Sequence, residues 1–342
     1  MRALFSGFRP SDPEERVKFI WHGGEPFMIK LAYYEEIGRL QQSLLESHFH
    51  YWNTAQTNLT ILTAAHIRFL KERRLFEEIG ISFDVYGDQR VDIRGQSSTT
   101  RVLANMQTLI DNDITFGAIT VLSQSTVDKI RAIYRFFDHM GVPFRVLPFH
   151  LETIEGQRES HGLTPASIAN AMCDVFDEWL QSETATPVYP LHSYLDFAIS
   201  HMKGNGLSCY DKDTEENVFV IDTDGSIYGI AETYSEKYRY GNIFEQTFEE
   251  ILDSSTRRTH ILEANARLES FCTTCPYFGG CPGFFVAEAN PMEWEWLQQS
   301  GCYLREVLTH IISRLEKFGL DAIIHEKAQQ RKASLLGLEV ML

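Results

Sequence analysis

The chain has 342 residues and a formal net charge of −16, from 31 Lys and Arg against 47 Asp and Glu. Hydrophobic residues make up 44% and charged residues 23%, ordinary globular usage, so disorder is excluded as the default and the length suffices for one barrel-sized domain plus a smaller one. The acidic balance would repel a phosphate backbone, the apolar runs fall short of a bilayer span, and no charged-then-apolar leader opens the chain; neither nucleic acid nor a membrane is expected as a partner, and a reducing cytoplasm is the simplest compartment.

Residues 1–8 read as the last turns of a helix, followed by a Pro- and acid-rich loop. The apolar, β-prone run 17–21 breaks at His22-Gly23-Gly24-Glu25-Pro26, a strand whose carboxyl end opens into a tight loop. Leu31, Tyr34, Ile37, Leu40 and Leu44 keep a helical period. Residues 51–56 are the next strand, with Thr57 and Asn58 in its loop, and 63–79 the next helix, with Gly80 as its stop signal. The third strand is expected at 81–85, with Ser82 and Asp84 on one face, and a polar loop containing Arg94 then leads to a helix at 101–110. Residues 116–122 are a fourth strand. The helix after it has a capping box from Ser125 to Asp128, an inner face of Val127, Ile130, Tyr134 and Phe137, and Gly141 as its end. A fifth strand falls at 144–149, and Thr164-Pro165 reads as an N-cap with proline in the first turn.

Strands alternating with helices require a parallel sheet, because parallel neighbours need a crossover that a helix supplies. Function is then expected at the carboxyl ends of the strands, where HGGEP, QTN and SFDVYGDQR fall. Five such units leave one strand short at the front of a closed set. From about residue 195 the rhythm changes: 218–222 and 226–228 form a hairpin on an Asp-Gly turn, a short helix lies near 248–252, and a last helix runs over 303–315.

Between these lies FCTTCPYFGGCPG, in which Cys272, Cys275 and Cys281 have Cys-x2-Cys-x5-Cys spacing, with Cys302 downstream. Thiolates so spaced can converge on a soft metal centre, either zinc or an iron–sulfur cluster, and the spacing leaves both open. The ordinary alternative is a set of buried thiols in a loop-rich core. Gly23 and Gly24 let a backbone pass close to a ligand, and Glu25 can accept from an ammonium group; Ser82 and Asp84 are inward polar groups needing partners; Arg94 can fork onto a carboxylate. Each has an ordinary counterpart in a turn, a neighbouring strand or a solvated arginine. Cys173 reads as a buried structural thiol, and Cys209 as a ligand or a lone thiol.

Together, FIWHGGEP, QTN, SFD with Arg94, FVIDTDGSIY, YGNIFEQTFEEIL and CTTCPYFGGCPGF with Cys302 resemble the radical S-adenosylmethionine enzymes with a C-terminal SPASM domain, from residue 17 to about 305. The resemblance implies a partial (β/α)6 TIM-like barrel missing its first strand over 1–198 (strands 2–6), a SPASM iron–sulfur domain over 199–310 and a helical tail over 311–342. It also implies that Gly23, Gly24, Glu25, Asn58, Ser82 and Arg94 hold S-adenosylmethionine, with Asp84 facing the reaction cavity as the candidate catalytic residue.

Two departures qualify the likeness. The family's Cys-x3-Cys-x2-Cys loop, which holds the radical-generating [4Fe–4S] cluster, has no counterpart, since no cysteine precedes Cys173; the chain is expected to start inside the barrel. Ile230 and Phe285 stand at cysteine positions of a first auxiliary cluster, whereas Cys272, Cys275, Cys281 and Cys302 match all four ligands of the second. One auxiliary [4Fe–4S] cluster is therefore expected. Ala231 stands where sulfatase maturases have a basic aspartate, which argues against that activity. The expected function is maturation of a ribosomally made precursor peptide by radical hydrogen abstraction, giving a crosslink or an oxidation, with a partner chain as one source of the missing barrel segment. The rival is a non-catalytic iron–sulfur or zinc protein that binds a peptide or partner subunit.

Overall fold

Six parallel strands pair in chain order in the computed structural model: β1 (Arg16–Trp21), β2 (His50–Thr57), β3 (Phe76–Ser82), β4 (Gly117–Leu122), β5 (Phe144–Pro148) and β6 (Val188–Tyr189). The structure describes residues 16–45, 50–72, 75–87, 89–92, 94–149, 162–204, 207–229, 234–319, 322–323, 326–327 and 330. The expected helical turns at 1–8, and Ile230 and Ala231, lie outside them.

Helices α1 (Leu31–Leu45), α2 (Ala64–Lys71), α3 (Thr99–Ile110), α4 (Ile130–Met140) and α5 (Pro165–Gln181) each connect one strand to the next. All the strand carboxyl ends therefore share one edge of the sheet. The local chemistry follows the alternation. In β4, Ala118, Thr120 and Leu122 are buried at period two; in α4, Ile130, Ile133, Tyr134 and Phe137 form the buried face, and Gly141 closes the helix at φ 66°. Thr164 caps α5 by a reciprocal pair with Ser167, and Pro165 occupies its first turn.

Several expectations need correction. There are six strands, not five, because the two-residue β6 carries too little pattern to be read alone. Helix α2 stops at Lys71 instead of 79, and β3 begins at Phe76 instead of 81. Phe76 and Ile79 have helix-compatible spacing, but pairing with β2 makes them strand. Gly80 is a strand residue, not a helix stop: a Cβ there would meet Gln56 Oε1 at 2.0 Å, so its bare backbone makes room for a side chain from β2. Ser125 and Asp128 form no capping box. A turn held by Ser123 N donating to Thr126 Oγ1 (2.9 Å) and a 3₁₀ turn at Val127–Lys129 precede α4 instead.

Two compact units emerge, and residues 193–312 form the second. Helix α6 (Leu191–Lys203) leads to the expected hairpin of β7 (Val220–Ile221) and β8 (Ser226–Tyr228), to which β9 (Arg239–Asn242) adds antiparallel. The capping box of Thr247 and Glu250 starts α7 (Phe248–Leu252). Helices α8 (Ser255–Arg267) and α9 (Pro291–Ser300) are polar enough to have escaped the sequence reading; α8 buries only Arg257 and Ala264. Helix α10 (Tyr303–Phe318) begins directly after Cys302.

Candidate cofactor sites

The carboxyl edge of the parallel sheet gathers most of the polar residues expected there. Gly23 and Gly24 form the loop after β1 at φ 86° and 57°, exposed, with open space where a Cβ would lie. Glu25 staples that loop to the end of β2: one carboxylate oxygen accepts from Phe27 N (2.9 Å) and the Thr57 hydroxyl, the other from Asn58 N (2.7 Å). The Asn58 side chain accepts from Thr60 N and Oγ1 at 2.9 and 2.8 Å. Ser82, at the end of β3, accepts from Gln56 Nε2 (2.9 Å).

Asp84 lies beyond the end of β3 rather than within it, 4% exposed. Its Oδ1 accepts from Val121 N (2.6 Å) and Thr120 Oγ1 (3.1 Å), and Arg90 Nε stands 2.7 Å from Oδ2. Donors from β4 hold the carboxylate, and the guanidinium beside it matches its charge without an aligned hydrogen bond from Nε. Arg94 is not brought to this cluster. It sits exposed at the tip of a narrow excursion closed by Asp92 N donating to Gln96 O and by the Val91 and Ser97 bridge. Gln56, Thr57, Thr120 and Arg90 were not singled out in advance. Gln56 and Thr57 stand inside the QTN motif and Arg90 inside DQRVD, but the pairing of Arg90 with Asp84 depends on how the loop folds back.

In the second unit the cysteine segment is built on a change of helical pitch. Helix α8 runs into a π-helical turn, Leu268–Cys272, which ends on the first cysteine. Cys275 N then donates to Cys272 O (2.9 Å), Phe278 N to Cys275 O (3.1 Å) and Cys281 N to Tyr277 O (2.8 Å), so three tight turns set the three thiols on one knuckle. Gly283 follows at φ 83°; a Cβ there would lie 2.5 Å from Leu268 Cδ2 and 3.3 Å from Cys272 Sγ, so only glycine lets the chain pass the sulfur in this conformation. Cys302 immediately precedes α10, and its thiol receives the backbone N–H groups of Leu304 and Arg305. Both N–H groups lie in the first turn of a helix, where donors and the helix dipole favour a thiolate, although Arg305 N also donates to Cys302 O (3.1 Å).

Burial nevertheless dominates: it pushes the Cys272 thiol up to about 12 and the Cys302 thiol up to about 11, with the neighbouring cysteines adding to both shifts. Cys281 is also raised by burial. Such a set stays protonated in apolar surroundings and ionises when a multiply charged metal group compensates it. Among the described residues, no three His, Cys, Asp or Glu side chains are gathered tightly enough to hold one metal ion. Cys302, Cys281, Cys275 and also Cys209 act electrostatically on Cys272, so the thiols are neighbours of one another. Cys209 is exposed, its thiol raised by desolvation and by Glu215 and Asp211. Phe285 packs into the apolar cluster that contains Cys272 and Cys302, with its ring 5.0 Å from that of Tyr303.

A buried ion network lies in the same unit. Lys212 Nζ donates to Glu216 Oε1 (2.8 Å) and to both oxygens of Glu288 (2.9 and 2.8 Å); Arg257 Nε donates to Glu216 Oε2 (2.8 Å), and Tyr210 to Glu288 Oε1 (2.6 Å).

Residues 209–276 match the SPASM family model, an iron–sulfur cluster-binding domain. The cysteine-type anaerobic sulfatase-maturating enzyme of Clostridium novyi is 26% identical over 280 residues, covering 79% of this chain and 73% of that protein. The serine-type anaerobic sulfatase-maturating enzyme of Klebsiella pneumoniae is 25% identical over 284 residues, covering 80% and 70%. A solved structure of native anSMEcpe with bound AdoMet has the same fold, with a TM-score of 0.73 at 18% identity over 95% of this chain and 88% of that one. A second, with bound AdoMet and the Cp18Cys peptide, gives a TM-score of 0.72 at 17% identity.

Proposed function

The chain belongs to the radical S-adenosylmethionine/SPASM family, and we propose that within it the chain serves as a maturase of a ribosomally made peptide, introducing a crosslink or an oxidation. The observation that carries this reading is the four-cysteine set, placed on a knuckle and a helix start; its first two members, Cys272 and Cys275, fall within the residues 209–276 matched by an iron–sulfur domain model, and Cys281 and Cys302 lie beyond that match. Cys272, Cys275, Cys281 and Cys302 hold one auxiliary [4Fe–4S] cluster. Gly23, Gly24, Glu25, Asn58 and Ser82 line the strand edge that holds S-adenosylmethionine in this reading, and a part for Arg94 requires its exposed turn to move toward that edge. S-adenosylmethionine held there would supply radical hydrogen-abstraction chemistry, given an electron from a reduced cluster whose ligands these residues do not include. Asp84 is the catalytic carboxylate of this reading, with Arg90 as its fixed counter-ion.

The likeness to sulfatase-maturating enzymes supports a peptide or protein substrate, and a Cys or Ser is the residue type those relatives' names point to. Ala231, where the family resemblance implies a basic aspartate in such enzymes, favours a different residue or bond in this reading. The thiolates of a radical-generating cluster have no counterpart before Cys173, so in this reading a preceding segment or a partner chain provides them. No helix among the described residues is long and apolar enough to cross a membrane; the proposed setting is the cytoplasm.

The test is anaerobic reconstitution with iron and sulfide. The Cys275→Ala variant is expected to lose most bound iron and Cys209→Ala to keep it; equal loss in both contradicts the ligand assignment. Reductant, S-adenosylmethionine and a chain carrying the missing cysteines are then expected to yield deoxyadenosine, and Asp84→Asn to block peptide modification without loss of iron. One cluster with no deoxyadenosine under any such supplementation favours the second reading, a non-catalytic iron–sulfur protein that binds a peptide or subunit; stoichiometric zinc favours its zinc form.

A further inference from the structure

Helices α1, α2 and α4 pack on one face of the parallel sheet. Tyr34 of α1 and Phe69 of α2 bring their rings to 4.8 and 5.9 Å from that of Phe76 on β3, and Phe137 of α4 stacks on Phe144 of β5 at 4.5 Å. Strand pairing carries that face from Phe76 through Asn53, Ala55 and Thr57 of β2 to Ile81, Ala118 and Phe144. Because side chains alternate along a strand, the opposite face carries Ser82 of β3, Ile119 and Val121 of β4, Arg145 and Leu147 of β5, and Tyr189 of β6. Ser82, Ile119, Arg145 and Tyr189 are register partners in series, a single row across four strands.

Toward β2 the polar groups of this second face are already matched. Gln56 crosses Gly80 and donates to Ser82 (2.9 Å), and Lys18 pairs with Glu78 at 2.9 Å. On β5 they are not. That strand is interior, between β4 and β6, yet Arg145 is exposed and Leu147 is 38% exposed. The guanidinium carbon of Arg145 lies 5.9 Å from the centre of the Tyr189 ring, and among the described residues Arg145 makes no ion pair or hydrogen bond through its side chain. A ring beneath a guanidinium orients the fork without using its N–H donors. An oriented cation with free donors, beside an uncovered aliphatic side chain, is complementary to an anionic group that has an apolar neighbour.

We propose that Arg145 is a specificity-determining residue that takes a carboxylate of the peptide substrate, with Leu147 and Val121 packing against an aliphatic residue next to it. The inference rests on the maturase reading and adds the class of peptide to it: one with Glu or Asp beside an aliphatic side chain. The placement suits the reaction. Val121, whose N–H donates to Asp84, is the register partner of Leu147, and Leu147 follows Arg145 by two residues, about 7 Å along the strand. A peptide anchored at Arg145 therefore runs toward the proposed catalytic carboxylate. The residues assigned to S-adenosylmethionine end at Ser82, two strands or about 10 Å from Arg145 along its row, which leaves the β5 side of the face to the peptide.

The experiment uses the full chain, reconstituted anaerobically with iron and sulfide, and two capped probes, acetyl-Leu-Glu-Leu-amide and acetyl-Leu-Gln-Leu-amide, titrated by ligand-observed NMR. The parent is expected to bind the Glu probe about fivefold more tightly than the Gln probe, a preference that shrinks as salt is raised. Arg145→Gln is expected to bind both probes equally, and Arg145→Lys, which keeps the charge without the fork, to retain a preference smaller than the parent's. Arg94→Gln should keep the full preference. Arg145 is exposed and unpaired, so its replacement should leave the fold intact, which far-UV circular dichroism checks. The affinity of Arg145→Gln for S-adenosylmethionine, read by calorimetry without peptide, should equal the parent's. No preference in the parent, a preference that survives Arg145→Gln, or a loss of S-adenosylmethionine affinity in that variant overturns the proposal; with deoxyadenosine formation intact, the maturase reading still stands. An Arg145-dependent preference in a chain that forms no deoxyadenosine under any supplementation upholds the carboxylate site and overturns the maturase reading alone.

Discussion

Replacing Lys212 by Met is expected to unfold much of the cysteine-bearing unit's stability at a stroke. The Lys212, Glu216 and Glu288 side chains are 4%, 4% and 7% exposed, and Arg257, the second cation, is 7% exposed. Without the ammonium, Glu288 keeps only the Tyr210 hydroxyl as a strong donor, and Glu216 keeps Arg257 and the Tyr240 hydroxyl. Glu288 is then left without a cation, while Arg257 serves Glu216 and Asp213. Breaking a buried pair by removing one partner costs about 3–5 kcal/mol, because it leaves an uncompensated charge out of water. That is about a fifth or more of a typical domain's stability of about 5–15 kcal/mol. Urea unfolding of the full chain, followed by far-UV circular dichroism and by the fluorescence of Trp294 and Trp296, which pack on the cysteine cluster, reads the effect. At a slope of about 2 kcal/mol per molar urea, the midpoint of this unit should fall by about 2 M. Lys212→Met with Glu288→Gln should recover about 2 kcal/mol, since a neutral amide still accepts from Tyr210 and no lone carboxylate remains. A single variant within about 0.5 kcal/mol of the parent, or a double variant whose cost is the plain sum, would refute the idea that the network is a coupled, desolvated set.

Two further effects are expected in the sheet-bearing unit. His66 Nδ1 accepts from Thr63 N at the start of α2 while Nε2 meets Phe27 O at 3.2 Å, a neutral tautomer, and burial lowers its pKa below 6.5 despite opposing contributions from Phe27 and Glu25. The unfolded chain therefore binds the proton more readily. The stabilisation from this histidine should be complete above about pH 7 and decline as pH falls through 6.5 toward the lowered folded value. His66→Gln should flatten that part of a stability profile, and an unchanged slope would count against the assignment. At Gly80, alanine should drive the Gln56 amide from its place and break its hydrogen bond to Ser82, costing about 1–2 kcal/mol. Adding Gln56→Ala should relieve most of the clash, as denaturant midpoints of the three variants would show.

Much of the architecture is written in short-range spacing. Alternating strands and helices, the Thr164 and Thr247 caps, the Asp-Gly hairpin turn and the cysteine knuckle all depend on residues within a few positions of one another, so their signals survive in the linear chain. The same holds for the GGE loop and QTN, whose places at strand ends follow from the strand order. Where local signals compete, the tertiary structure decided. Phe76 and Ile79 suit a helix by period, and only pairing with β2 makes them strand; Gly80 resembles a helix stop until Gln56 is seen to cross it. Arg90 rather than Arg94 reaches Asp84 because the intervening loop folds back on itself. Lys212 with Glu288 and Tyr194 with Tyr303 join positions far apart in the chain, and no local period marks them. Sequence alone therefore marked the hairpin turn, the Thr164 cap and the cysteines that share one knuckle. Which buried polar groups would satisfy one another was set by chain closure, because a desolvated donor finds its acceptor only after the core has assembled.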